Sequence, residues 1–310
     1  GIVQLIFQFP FLLKLRRLPI PIPSLKDPGV RQVMRLMVPA LFGVSIAQIN
    51  ILIDQWFASF LQVGSISWLY YSDRITQLPL GVFGIAIATV ILPSLSRQHA
   101  GQDKEQYCKT LDWGLKTVLL IGLPAALGVL LLAGPIITTL FNYGEFDAFD
   151  VVMTQRSLIA FGIGVPAFML VKVLASGFYA KQNIKLPVQV GVIALVTNTA
   201  LSLCLIWTLK HAGLALSTSI AAIVNALLLY ILLVKKGIFT PEPGWLKFLL
   251  QLFVALALMA VVLVWLAKPT DVWIASAWPW RVSHLSVAMV LAGAAYFIGL
   301  RISGYRWKKI

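Results

Sequence analysis

Apolar runs of about 20 residues recur along this chain, each closed by basic residues, polar residues, or glycine and proline. About 20 apolar residues of helix cross the hydrocarbon of a bilayer. The pattern predicts eight complete spans: 33–61, 65–96, 117–133, 152–180, 186–209, 214–234, 248–267 and 282–301. A proline-rich basic stretch over 14–35 precedes the first of them. Residues 1–13 read as the end of a further span whose start is missing. Between the spans, 97–116 reads as an amphipathic surface helix and 134–151 as an aromatic and acidic outer loop. The spans 186–209 and 214–234 form a hairpin joined at KHAG.

One stretch departs from plain hydrophobicity. Residues 65–96, SISWLYYSDRITQLPLGVFGIAIATVILPSLS, carry Asp73 and Arg74 side by side at membrane depth. A charge there costs about 2.5–3.5 kcal/mol even on the most lenient scale, so it faces a partner or a water-filled cavity. Ser67, Tyr70, Arg74, Gln77, Gly81, Gly84 and Ala88 recur at steps of three and four, on one helix face. Leu69, Leu80, Phe83 and Ile87 lie away from it. Pro79 cannot donate to the carbonyl of Ile75, which predicts a kink. The stretch reads as the wall of a polar cavity with Arg74 pointing in. Adjacent helical residues diverge by about 100°, so Asp73 is a poor partner for Arg74. A cationic cavity suits a phosphate or pyrophosphate.

Composition fixes the class. The chain has 310 residues, 59% of them hydrophobic and 12% charged, with mean hydropathy +0.89. That is an all-α polytopic membrane protein. The net charge of +14 is a matter of topology rather than of nucleic-acid binding. Nineteen of the 25 Lys and Arg fall on one side of the spans; only Lys210, Lys268 and Arg281 fall on the other. The basic side is cytoplasmic, which puts the C-terminus there, with a tail over 302–310. The loop 268–281, KPTDVWIASAWPWR, brings three Trp to the outer interface. No P-loop, Ser-His-Asp or HExxH pattern occurs, and the two cysteines give no disulfide framework.

Three basic residues remain inside spans: Arg74, Arg156 and Lys172. Arg156 and Lys172 either snorkel to the nearest surface or add to the cavity. Asp54, with Asn50 one turn before it, and Asn198, Thr199, Ser202 and Thr218 offer oxygens from three helices. They either hold a hard monovalent cation such as sodium or hydrogen-bond the helices together. Glu145, Asp147 and Asp150 read as a solvated loop face.

The stretch YYSDRITQLPLGVFGIAIATVILPSLSR resembles the bacterial lipid II flippase family, MurJ (MviN). INILIDQWFAS before it, and LFNYGEFDAFDVVMTQRSL and GFYAKQN after it, extend the likeness, and the order of spans agrees to the end. The resemblance implies an exporter-type fold of fourteen spans in two six-helix lobes. On that template 36–234 is the second lobe, 235–247 a cytoplasmic linker, and 248–301 two extra spans forming a groove for the lipid tail. The N-terminal lobe is the implied missing partner, in the same chain or a separate one. The implied activity is transport, not enzymatic: translocation of lipid II, the undecaprenyl-pyrophosphate-linked disaccharide-pentapeptide, across the bacterial inner membrane by alternating access. Arg74, with Asp73, Tyr70 and Gln77 beside it, would bind that substrate. No organic cofactor is implied. A sodium site of the family maps onto Asp54, Asn198 and Thr218, with Ser202 where the pattern has an acidic ligand. That departure leaves membrane potential or protons as drivers. Other exporters of the fold, for O-antigen lipid or drugs, are the alternative. A drug exporter for cations favours an acidic cavity, and a membrane glycosyltransferase or phosphatase needs convergent acidic residues that are not evident.

Overall fold

The computed structural model describes residues 2–14 and 27–305. The chain divides into two compact units, Gly1–Leu41 and Phe42–Ile310. The first holds α1 (Ile2–Lys14) and the start of α2 (Pro28–Ser59). Asp27 caps α2: its carboxylate accepts the amides of Gly29 at 2.7 Å and Val30 at 3.2 Å, with Pro28 at the first helical position. Most of the basic stretch expected over 14–35 lies outside the described residues.

The second unit carries α3 (Ser65–Pro79), a π-turn (Leu80–Gly84), α4 (Ile85–Ala100), α5 (Lys104–Leu131), α6 (Ala133–Phe141), α7 (Ala148–Tyr179), α8 (Lys185–Lys235), α9 (Trp245–Leu266), α10 (Thr270–Ala275) and α11 (Trp278–Ile302). Among the described residues six helices are long and apolar enough to cross a membrane, taking α3 to α4 as one. The longest of them, the 51-residue α8, is two spans. Lys210 breaks it at φ 51°, ψ −131°, inside the predicted KHAG turn. Those angles belong to glycine, and a side chain there carries strain. Lys210→Gly is therefore expected to raise the melting temperature of the detergent-purified protein, by the equivalent of about 1 kcal/mol. A lower melting temperature would mean the turn is unstrained.

Pro79 does not break its helix. The chain absorbs the missing hydrogen bond with the π-turn, in which the Ile85 amide reaches the carbonyl of Leu80. The extra residue rotates the helix beyond it. Gly84, placed on the polar stripe by its spacing, is buried instead, and a Cβ there would meet Leu80 at 3.0 Å and Met169 at 3.2 Å. The stripe thus ends at Gly81 on its exposed course. Ile87, Ile91 and Leu95 continue into the main core with Val165, Met169 and Val173 of α7.

Two expected non-span segments are built differently. The N-terminal part of α5 is not a surface helix: Tyr107, Cys108, Leu111 and Asp112 are buried. The Tyr107 hydroxyl donates to the carbonyl of Gly177. Asp112, 3% exposed, accepts from Trp245 Nε1 at 2.6 Å and pairs with Lys116 at 2.5 Å. It thereby fixes the start of α9. The segment expected as an outer loop over 134–151 holds nearly all of α6, whose Ile137, Thr138 and Thr139 are buried. Glu145 and Asp147 are exposed, as a solvated face requires, and Asp147 and Asp150 also form a reciprocal cap on α7. Asp150 also accepts from Trp68 Nε1 at 2.6 Å, tying α3 to α7. Gly64, just before α3, has φ 99°, and a Cβ there would lie 2.6 Å from the Trp68 ring; only glycine meets both demands.

Helices α9 and α11 pack on each other and on α5 through Leu252, Ala255, Met259, Leu285, Ala292 and Tyr296. Their backbones come close at Gly299, where a Cβ would sit 2.7 Å from Ala255 Cα. Small residues permit such approach where lipid supplies no hydrophobic driving force. Tyr296 donates to the Leu120 carbonyl at 2.6 Å. Trp273 is buried in this core rather than at an interface belt, and Arg281, expected on the outer loop, is also buried, at 2% and 7% exposure.

Candidate functional site

The polar face of α3 is open. Ser67, Tyr70, Arg74 and Gln77 are all exposed, while Trp68, Ser72, Ile75 and Thr76 on the other side are buried. Ser72 donates to the carbonyls of Trp68 at 2.6 Å and Thr154 at 3.0 Å, which seats the buried face on α7. Arg74 lies over the Tyr70 ring, 4.8 Å from its centroid, and Nη1 donates to Gln77 Oε1 at 3.5 Å. Gln77 Nε2 donates in turn to Asp73 Oδ2. Asp73 and Arg74 are therefore bridged by Gln77 and not paired, as their angular separation on the helix requires.

A cavity of about 280 Å³ adjoins this face. Its polar wall includes Asn50, Asp54 and Gln55 of α2, Ser67, Tyr70 and Asp73 of α3, and Thr218 of α8. Leu69, expected to lie away from the polar stripe, also lines it. Neither Arg156 nor Lys172 does; both are exposed on α7 and make no ion pair among the described residues. They sit about two turns from opposite ends of that helix, the position from which long side chains reach an interface.

Four of the acidic and amide set come together, and Thr199 and Ser202 do not join them. Asn50 and Asp54 share a face of α2, and the reversal at Lys210 brings Asn198 and Thr218 to meet them. Asp54 Oδ1 accepts from Asn198 Nδ2 at 2.9 Å. Its Oδ2 accepts from Asn50 Nδ2 at 3.3 Å and Thr218 Oγ1 at 3.1 Å. Asn198 Nδ2 also donates to Asn50 Oδ1 at 2.8 Å. Ser202 is fully buried on the same helix as Asn198, yet its hydroxyl has no partner. In this structure Asp54, Asn50, Asn198 and Thr218 are joined as an interhelical hydrogen-bond network. Thr199 is apart from it, donating to the Leu195 carbonyl of its own helix. Among the described residues no group of three or more His, Cys, Asp or Glu gathers as a metal site.

Sequence reasoning missed Gln55 in the cavity wall, the Trp68–Asp150 tie and the buried Arg281. A Trp and an Asp 82 positions apart carry no local signal of their contact.

Long apolar helices, six of them able to cross a membrane among the described residues, with one polar face of α3 left open, make an all-helical bundle of the membrane-protein class. The family model described as "Lipid II flippase MurJ" matches residues 1–283, and the chain belongs to that family. It is 45% identical to a probable lipid II flippase MurJ of Vibrio cholerae serotype O1, over 100% of this chain and 59% of that protein. It is 40% identical to the lipid II flippase MurJ of Burkholderia cenocepacia, over 99% and 60%. The chain thus spans about three-fifths of the length of these relatives. A solved lipid II flippase MurJ in an inward closed conformation superposes with a TM-score of 0.72 at 25% identity, over 94% of this chain and 58% of that one. An outward-facing multidrug transporter of the MATE family shares the fold, with a TM-score of 0.56 at 18% identity, over 88% and 64%.

Proposed function

We propose that this chain supplies one wall and the lipid-facing helix pair of a flippase that moves lipid II from the cytoplasmic to the outer leaflet of the bacterial inner membrane. Membership of the family supports the substrate, and the open cationic face of α3 is the observation that carries the mechanism. Arg74 holds the pyrophosphate through its guanidinium fork, while Tyr70 and Gln77 orient it. The opposite wall comes from an N-terminal lobe, since alternating access rocks one bundle against another around a central site. The C-terminus is cytoplasmic, on the side that carries most of the Lys and Arg. Outward passage of an anion from a negative interior is downhill by about 2.3 kcal/mol per charge per 100 mV, so membrane potential alone favours export. Asp54 and its partners hold the helices that frame the site and need no sodium for it.

The test is reconstitution of the full-length protein in vesicles with a fluorescent lipid-linked disaccharide-peptide, scored by its exposure to an external quencher. Imposing an inside-negative potential in the cytoplasm-equivalent compartment accelerates exposure if the reading is right. Exposure equal to that of protein-free vesicles overturns it.

Helices α9 and α11 serve the polyprenyl tail. The exposed side of α9 carries Leu250, Phe253, Val254, Val261 and Val264, and that of α11 carries Val290, Phe297 and Ile298. Gln251, the one polar side chain in that part of α9, is turned to the Ser303 carbonyl at 2.9 Å. Nothing there binds pyrophosphate, whereas apolar burial is worth about 0.8 kcal/mol per CH₂ relative to water. A photoreactive polyprenyl analogue is expected to crosslink to α9 and α11. Crosslinks confined to 33–96 would remove the tail assignment.

A further inference from the structure

Between their ends the exposed rows of α9 and α11 are apolar, but where the two helices meet on the outer side they are not. Lys268 lies two residues past the end of α9, and His284 in the second turn of α11. Trp280 brings them together: the Lys268 ammonium lies 4.8 Å from its ring centroid, and the His284 imidazole stacks on it at 3.8 Å. Both side chains are exposed. Of the three basic residues read to the outer side, Lys210 makes the strained turn and Arg281 is buried on carbonyls. Lys268 makes no ion pair or hydrogen bond among the described residues. The bias that keeps Lys and Arg off the outer side acts against a cation with no task there. His284 Nδ1 meets the Trp280 carbonyl at 3.1 Å. A carbonyl only accepts, so Nδ1 carries a hydrogen and Nε2 is left for an outside partner.

This pair heads a lipid-facing surface. His284, Val287, Leu291, Ala294 and Ile298 recur at steps of three and four and are all exposed, one row down α11. The row covers about 20 Å at 1.5 Å per residue, more than the roughly 15 Å of hydrocarbon in one leaflet. A single chain that fills it from an outer headgroup is longer than the acyl chain of a phospholipid. We propose that Lys268 and His284 form an outer-leaflet diphosphate subsite, which receives the pyrophosphate of a polyprenyl lipid after passage while its tail lies on the α11 row. The inference rests on the flippase reading and the orientation given above. Lys268 donates to one phosphate, and charged His284 donates from Nε2 to the other. Arg74 holds the pyrophosphate in the cavity and this pair holds it at the outer surface, so the headgroup changes leaflet without the tail leaving its helices.

The test uses the full-length protein in phosphatidylcholine nanodiscs and three probes: a polyprenyl diphosphate, the polyprenol of the same length, and phosphatidylglycerol. Wild type binds the diphosphate more tightly than the polyprenol. Arg74→Ala, which removes the cavity contact, is expected to keep a preference of about tenfold or more, the worth of a charge-assisted hydrogen bond. Adding Lys268→Gln to Arg74→Ala abolishes that preference. Adding His284→Asn instead, which keeps an amide donor for the Trp280 carbonyl, reduces it; neither addition changes the affinity for polyprenol. A preference present in wild type and lost in Arg74→Ala alone overturns the outer subsite and leaves the flippase reading standing. A preference that survives both additions overturns it too. Phosphatidylglycerol binding as tightly as the diphosphate, with the same dependence on Lys268, assigns the site to ordinary phospholipid and overturns the polyprenyl assignment. Wild type binding diphosphate and polyprenol equally overturns the flippase reading and this subsite together.

Discussion

Arg74→Ala abolishes the growth rescue of cells depleted of their lipid II flippase, while the amount of protein in the membrane stays near that of wild type. The two halves of that outcome have separate causes. Arg74 is exposed, and its contacts are the Tyr70 face and a long hydrogen bond to Gln77. Truncating it leaves no buried group unpaired, so folding is little affected. What goes is the one cation on the open face of α3, with its charge-assisted bonds to phosphate, each worth about 1.5–3 kcal/mol. Arg74→Lys keeps the charge and loses the planar fork, so it rescues partially. Complementation assays with membrane protein quantified by immunoblot read both effects. Normal growth with Arg74→Ala would show that the substrate is held elsewhere.

The α3 face was legible because it is written at helical spacing within one short stretch. Ser67, Tyr70, Arg74 and Gln77 are found on the open side the period assigns them. The same reasoning failed one turn later. A π-turn adds a residue that no periodicity counts, and Gly84 turns into the core against Met169. The Asp54 cluster is of another kind. Its bonds to Asn198 and Thr218 close over 144 and 164 positions, so no spacing announces them, and only the rarity of such oxygens inside spans brought the residues forward together. Ser202 came with them and is not bonded. Helix α6 escaped because its four β-branched residues, with Gly134 and Pro135 in its first turn, favour no helix by themselves; burial against α7, α10 and α11 holds it. Arg281 read as an ordinary outer-loop charge, and Asp112 drew no reading; only the tertiary fold shows Arg281 reaching Thr138 across 143 positions and Asp112 reaching Trp245 across 133.

Arg281→Ala is expected to destabilise the protein more than Arg74→Ala or any change at the exposed lysines. Arg281 is 7% exposed and has no carboxylate partner among the described residues. Its guanidinium binds carbonyls instead: Nε donates to Trp273 and Ser276 at 2.9 Å each, Nη1 to Thr138 at 3.2 Å and Nη2 to Ile274 at 2.7 Å. Three of these belong to the C-terminal end of α10 and one to α6, near its own end. The last carbonyls of a helix have no partner within it and carry partial negative charge. One side chain at the head of α11 therefore closes two short helices and ties three elements together. Alanine leaves the Ile274 and Ser276 carbonyls without their donor, at about 1–3 kcal/mol each before relaxation, while those of Trp273 and Thr138 keep the backbone amides of Ser276 and Asn142. The net loss is roughly 3 kcal/mol or more, which lowers the melting temperature by on the order of 5–10 °C. Arg281→Lys recovers only part, because a single ammonium cannot reach acceptors spread around a planar fork. Lys268→Ala is the control: Lys268 is exposed and touches only the Trp280 ring at 4.8 Å. Thermal unfolding of the detergent-purified variants, followed by tryptophan fluorescence, decides the matter. If Arg281→Ala melts with wild type, the carbonyls of α6 and α10 find water or other donors, and Arg281 is not what closes them.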